Sequence, residues 1–351
     1  MKTNNRMTEK AIDAGLIAML FFVTGIYSCV AQNQPTSQDV LNHVKNSGEQ
    51  IHLASGLNLN AKAAALSQFI NSPYLELKPA VAPHGTRLYF SRSNHPNNTG
   101  GVNDPEDIWY VEFDKNADVW SEAVRLPGEL NNVGPNFISG VSVTGDTIFL
   151  GNQYLHNGKM RDGMSFAVNV DGVWSAPKPI HIKNEYNTSE HENNFVSLKF
   201  GVIISAIQRG DTNGDRDLYV SFYNGGTGTE PVNMGSIINT GLEESSPYLA
   251  ADGKTLYFAS KGHHGYGGYD IYRSNRLDDS WTNWSTPENM GPVVNGPMDD
   301  EFFLITHCKR FAFFSKQVSV HNVDLYRIPM YELFITPAEE RQKVTSCLLK
   351  L

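Results

Sequence analysis

The residues most suggestive of chemistry lie in Asp211-Thr212-Asn213-Gly214-Asp215-Arg216-Asp217, the densest acidic run in the chain. Side-chain oxygens at alternating positions suit Ca²⁺, which takes about six to eight oxygen ligands. The spacing departs from an EF-hand loop, because Gly214 falls one residue early and no Glu closes the site. Asp211, Asn213, Asp215 and Asp217 are therefore candidate calcium ligands, set against a plain Gly/Asn/Asp turn. No other cofactor is expected. A second set is Glu243, Glu244, Asp300 and Glu301. Paired carboxylates run glycoside hydrolysis, but acids recurring at one repeat position also serve as acceptors for backbone N–H groups at strand ends. The second account is preferred, and no catalytic residue is assigned. His263-His264 sit in a glycine loop without a third ligand beside them and read as surface residues. Tyr266 breaks the aromatic period and is the one sugar-stacking candidate. Ala251-Asp252-Gly253-Lys254-Thr255 reads as a β-turn, and the Gly-x-Ser-x-Gly elbow of a serine hydrolase is absent.

These residues are positioned by an internal repeat, the feature to establish before any local reading. The apolar triplets Leu88-Tyr89-Phe90, Ile148-Phe149-Leu150, Val202-Ile203-Ile204, Leu256-Tyr257-Phe258 and Phe311-Ala312-Phe313 follow one another at 60, 54, 54 and 55 residues. A second anchor follows each triplet: Asp107-Ile108-Trp109, a degenerate Met164-Ser165-Phe166, Asp217-Leu218-Tyr219, Asp270-Ile271-Tyr272 and Asp324-Leu325-Tyr326. Trp120, Trp174 and Trp284, each trailed by a proline, form a third. In the clearest unit, strands are expected over residues 246–250, 255–260, 270–274 and 281–286, where aromatic and β-branched residues alternate with small or polar ones. A four-stranded unit at this period is a propeller blade. The fold class is thus all-β, a β-propeller of five blades of four antiparallel strands: residues 76–134, 135–187, 188–241, 242–297 and 298–337. Six blades is the alternative count. The fifth copy lacks its last strand, so an N-terminal strand within residues 51–60 is expected to close the ring. Ile70-Asn71 before Glu76 matches Ile238-Asn239 and Val294-Asn295, which marks residues 32–75 as the tail end of a blade. Residues 37–45 and 61–69 read as short helices, and residues 338–351 as a tail.

The segment from Glu244 to Ser274, followed by Trp284, Pro287, Asn289-Met290-Gly291 and Val294-Asn295, resembles the WD40-like (TolB-type) β-propeller repeat. It resembles the version found in Gram-negative envelope proteins, and the resemblance covers about residues 70–330. It implies an exported binding scaffold. Longer relatives place such a propeller before an OmpA-like domain. The chain stops at Leu351, so peptidoglycan binding is not expected to carry over.

Residues 14–26 form a short apolar core behind Lys2, Arg6 and Lys10. Thirteen residues fall short of the roughly 20 that span a bilayer, and the pattern is that of an export signal. Two cleavages compete: an ordinary one leaving 1–31 as signal peptide, and a lipobox Ile26-Tyr27-Ser28-Cys29 that leaves 1–28 as signal and lipidates Cys29. Only the lipid anchor would bring contact with a membrane. The net charge of −9 becomes −10 once residues 1–31 are gone. That balance, with no basic cluster, argues against nucleic acid. Cys308 and Cys347 are too few to staple a fold of 351 residues and read as free thiols. The function expected is a non-enzymatic, protein-binding propeller in the periplasm or at the outer membrane, either a monomer or part of an envelope complex. Its partner is another envelope protein. The alternative is a carbohydrate-binding or glycoside-hydrolysing five-bladed propeller.

Overall fold

The computed structural model describes residues 50–335 apart from 84, 115, 118, 156 and 157. The signal segment, Cys29, the helix expected over residues 37–45, Cys347 and the tail lie outside the described residues. Almost all regular structure is strand. Among the described residues no helix is long and apolar enough to cross a membrane.

The strands form successive antiparallel meanders, one per repeat. The first holds Leu75–Val81, Arg87–Ser93, Asp107–Asp114 and Val124–Arg125. The second holds Ile138–Val141, Thr147–Tyr154, Met160–Val170 and Lys178–Ile182. The third holds Asn193–Ser197, Val202–Ile207, Asp217–Phe222 and Val232–Asn233. The fourth holds Glu244–Leu249, Thr255–Ser260, Asp270–Asn275 and Glu288–Asn289. The fifth holds Asp300–Ile305, Phe311–Ser319 and Asn322–Pro329. Its fourth place is taken by Ala64–Ala65, which pairs antiparallel with Tyr326 and Arg327.

Strand alternation drives the packing. Along one strand, Leu256 and Phe258 join a core with Val220 and Met234 of the third meander, while Tyr257 faces the other way into a core with Phe303 and Phe314 of the fifth. Each meander has two apolar faces, so each needs a neighbour on both sides. Ile108 meets Ile138 and Ile148 between the first and second meanders, and Met164 meets Ile203 between the second and third. The last core joins the ends of the series: Leu88, Phe90 and Trp109 of the first meander pack with Phe313 and Leu325 of the fifth. The first strands of successive meanders neighbour one another, and the first strand of the fifth neighbours that of the first. This is propeller architecture, and no sheet of the described residues closes on itself as a barrel does.

One side-chain device recurs. Asn131 accepts from the N–H of Ile108 and donates to its carbonyl. Asn239 treats Leu218 identically, and Asn295 does so for Ile271. Asn71, far upstream, clamps Leu325 of the fifth meander in the same way and also donates to Leu66. The match of Ile70-Asn71 to the later Ile/Val-Asn pairs thus has a physical basis.

Three expectations need correction. The strand pairing with the last meander is Ala64–Ala65, not a strand within 51–60, where Leu53 and Leu57 make only isolated bridges to Asn289 and Phe334. Residues 61–69 accordingly hold that strand and a turn, not a helix. The fourth strand of the fourth meander is Glu288–Asn289, beyond the tryptophans. Trp281 lies in a bend with a φ of 65°, and Trp284 Nε1 donates to its carbonyl. Both indoles are buried between meanders.

Replacing Asn71 by Ala strips three hydrogen bonds that tie the chain start to the fifth meander. Unpaired backbone groups at such a junction cost about 1–3 kcal/mol each, so N71A is expected to lose roughly 2–3 kcal/mol in urea denaturation. An unchanged midpoint would contradict the clamp.

Candidate functional site

Where the first strands of the meanders face one another they leave an open cavity of about 650 Å³. Each strand runs from a floor, at Lys78, Phe137, Asn194, Ser246 and Phe302, to a mouth at the turns around Pro83, Val143, Phe200, Ala251 and His307. Between them the wall is largely apolar, with Pro79, Val141, Phe195, Val196, Tyr248 and Leu304. Four of these strands carry a bulge at the floor, and in three the bulged residue is left-handed: Lys78 at φ 52°, Ser246 at 50° and Phe302 at 56°. A bulge re-aims a side chain and tightens the local twist, which turns these residues toward the axis.

The floor is polar. Lys78 Nζ bonds both carboxylate oxygens of Glu106 at 2.7 Å and sits 3.8 Å from the centre of the Phe137 ring. Asn193 donates to Ser245, and Ser245 and Ser246 both reach Glu301 Oε1 at 2.8 and 3.0 Å. Asn194 Nδ2 donates to Glu192 Oε1 at 2.7 Å. Two buried acceptors have no partner, Ser139 Oγ and Asn194 Oδ1. Beside Glu192 stands Glu185, which accepts from Gln153. Burial, then the nearby Glu192 charge, push Glu185 up to about 8. Burial takes Glu192 to about 7 against the donors Asn194 and the Gly163 N–H.

Acids at the strand starts are otherwise occupied. Glu76 accepts from the N–H of Ser72, Glu244 from that of Thr240 and Asp300 from that of Gly296, each four residues back. Glu76 also pairs with buried Arg92, and Asp300 with Lys316. Burial is the leading influence on Glu76 and Asp300 and raises them to about 7 and about 6. The expectation that such acids serve backbone N–H groups describes Glu244 and Asp300. Glu243 instead holds Lys261 and the Tyr269 hydroxyl.

The acidic run folds as a loop leading into a strand. Asp217 is buried, and its Oδ2 accepts from the Asn213 N–H and from Asn233, as Asp270 does from Tyr266 and Asn289. Asp211 accepts from the Tyr219 hydroxyl, and the Asp215 N–H donates to the Leu242 carbonyl. Among the described residues no three His, Cys, Asp or Glu side chains are grouped so as to hold a metal ion, so Asp211, Asp215 and Asp217 do not form such a group. His263 is not a surface residue: its ring is packed on Phe258 and Tyr272, its Nε2 meets the Ile238 carbonyl at 2.9 Å, and burial lowers it. Tyr266 is half-buried beside Asp270, away from the cavity wall. Cys308 is a free thiol. Sequence reasoning missed Lys78, Ser139, Glu185 and Asn194. Their one signal is that they interrupt the repeat.

No protein-family model matches the chain, and no curated protein matches it. Solved structures do. TolB from Acinetobacter baumannii has 12% identity and a TM-score of 0.44 over 76% of this chain and 54% of that one, so the chain spans about half the TolB length. An α-L-arabinofuranosidase from Lactobacillus brevis has 14% identity and a TM-score of 0.47 over 75% of this chain and 94% of its own. The Bombyx mori GH32 β-fructofuranosidase BmSUC1 has 11% identity and a TM-score of 0.47, covering 84% and 66%.

Glu185 and Glu192 hold protons more tightly folded than unfolded, so their burial destabilises the fold increasingly as pH rises from about 4.5 through 7–8. Glu192→Gln keeps an acceptor for the Gly163 N–H. It is expected to raise stability at pH 8 by on the order of 1–3 kcal/mol and to flatten the fall between pH 5 and 8. An unaltered slope in thermal melts would contradict that account.

Proposed function

We propose that this protein is a non-enzymatic binding propeller of the bacterial cell envelope, with five blades and a ring closed by Ala64–Ala65. The central channel is the site where it takes a partner protein. The observation that carries this reading is the cavity itself: an open, apolar wall to which every meander contributes its first strand. Concave, largely apolar pockets with a few placed polar groups are where proteins bind ligands. The tethering of Glu76, Glu244 and Asp300 to backbone N–H groups supports binding over acid–base chemistry. Export, into the periplasm or to the outer membrane, rests on the leader at residues 14–26 and on Cys29. A second reading, a glycan-processing propeller, rests on Glu185 and Glu192, since a raised carboxyl is what a general acid requires.

A photoreactive amino acid placed at Phe200 or Val143 at the mouth is expected to capture the same envelope protein in cells, and one at Val119 on an outer strand to capture none. Release of sugar from a glycan panel, abolished by Glu185→Gln, would replace the scaffold reading with the glycan one.

A further inference from the structure

The channel floor holds two buried polar atoms, a hydroxyl and an amide oxygen, that no described residue satisfies. Ser139 and Asn194 are 9% and 8% exposed, line the cavity, and leave Ser139 Oγ and Asn194 Oδ1 unpartnered. A buried polar atom without a partner costs about 1–3 kcal/mol, so such atoms mark where a donor is to arrive. The Asn194 amide nitrogen donates one hydrogen bond to Glu192, and its oxygen is free to accept. Carboxyl groups lie around the floor. Lys78 is held by both oxygens of Glu106, while Glu185, Glu192 and Glu301 lie close behind the floor residues with hydroxyl, amide or backbone N–H donors as their hydrogen-bond partners. Burial pushes all three up, with mutual repulsion adding to Glu185.

We propose that the floor is the seat of a lysine ammonium group, carried into the channel by an extended segment of the partner protein. This rests on the channel-binding reading and names its ligand chemistry. The two atoms come from different strands, Ile138–Val141 and Asn193–Ser197. An ammonium has three rotatable donors and suits scattered acceptors. The apolar wall between floor and mouth matches the four-carbon stem of lysine, which buries readily beneath its charged tip, and the apolar residues that flank it.

The test is calorimetric titration of the full mature chain with acetyl-Trp-Lys-Trp-amide, its norleucine counterpart and putrescine. The lysine peptide is expected to bind about tenfold or more tighter than the norleucine peptide, the value of one charged hydrogen bond, and putrescine weakly. Ser139→Ala and Asn194→Leu should each at least halve that preference. Ser139→Ala removes only an unpartnered hydroxyl and should leave the thermal midpoint in place, so lost binding there is not lost folding. Equal binding of the two peptides overturns the ammonium seat while leaving the channel as a binding site. Putrescine binding as tightly as the lysine peptide overturns the protein-borne source. Binding by none of them overturns the inference, and if crosslinks at the mouth also fail, the channel reading falls with it.

Discussion

Two-sided burial is the constraint on which this structure depends. Each central strand sends alternate residues to opposite neighbours, so a row of meanders would end in two apolar faces exposed to water. The fold meets this by bringing its ends together, with Leu88, Phe90 and Trp109 against Phe313 and Leu325. The strand Ala64–Ala65 and the Asn71 clamp then tie the start of the chain to its last meander. The same asparagine geometry at Asn131, Asn239 and Asn295 joins the linkers after the first, third and fourth meanders to the sheets they leave. The junction between chain ends is therefore made of the same chemistry as the junctions within the chain.

The channel is a by-product of that arrangement. First strands held at fixed angles around an axis cannot fill the space between them. Here the bulges at Lys78, Ser246 and Phe302 turn part of the floor inward. Polar groups at repeated positions, such as Asp217 and Asp270, are matched by repeated partners and belong to the architecture. Polar groups that appear once, such as Ser139 and Asn194, line the cavity. The distinction separates the acidic run around Asp217, which looks chemical in sequence, from the channel floor, which does not.

The repeat made most of the strands legible. The second strand of the fourth meander is expected over residues 255–260 and is Thr255–Ser260, because Leu256-Tyr257-Phe258 recurs at the repeat period and fills cores on both faces. The fourth strand of the fourth meander lies beyond residues 281–286, whereas Trp120 and Trp174 do sit in short strands. Trp281 and Trp284 instead plug the seam between meanders from a turn. The strand that pairs with the last meander is Ala64–Ala65 rather than one within 51–60, and two small exposed residues carry no pattern of their own. His263 was misread because the neighbouring ring of Tyr272 that buries it comes from the next strand.

By itself the sequence determined the all-β class, the period and the residues that fill each sheet face, because alternation and turn chemistry act over a few residues and are written locally. It also marked Asn71 as the end of a blade. The tertiary structure alone decided which strand pairs with the last meander and which side chains converge on the channel. Those outcomes depend on the meeting of segments up to 254 residues apart, as Asn71 and Leu325 are, and no local pattern records such a meeting.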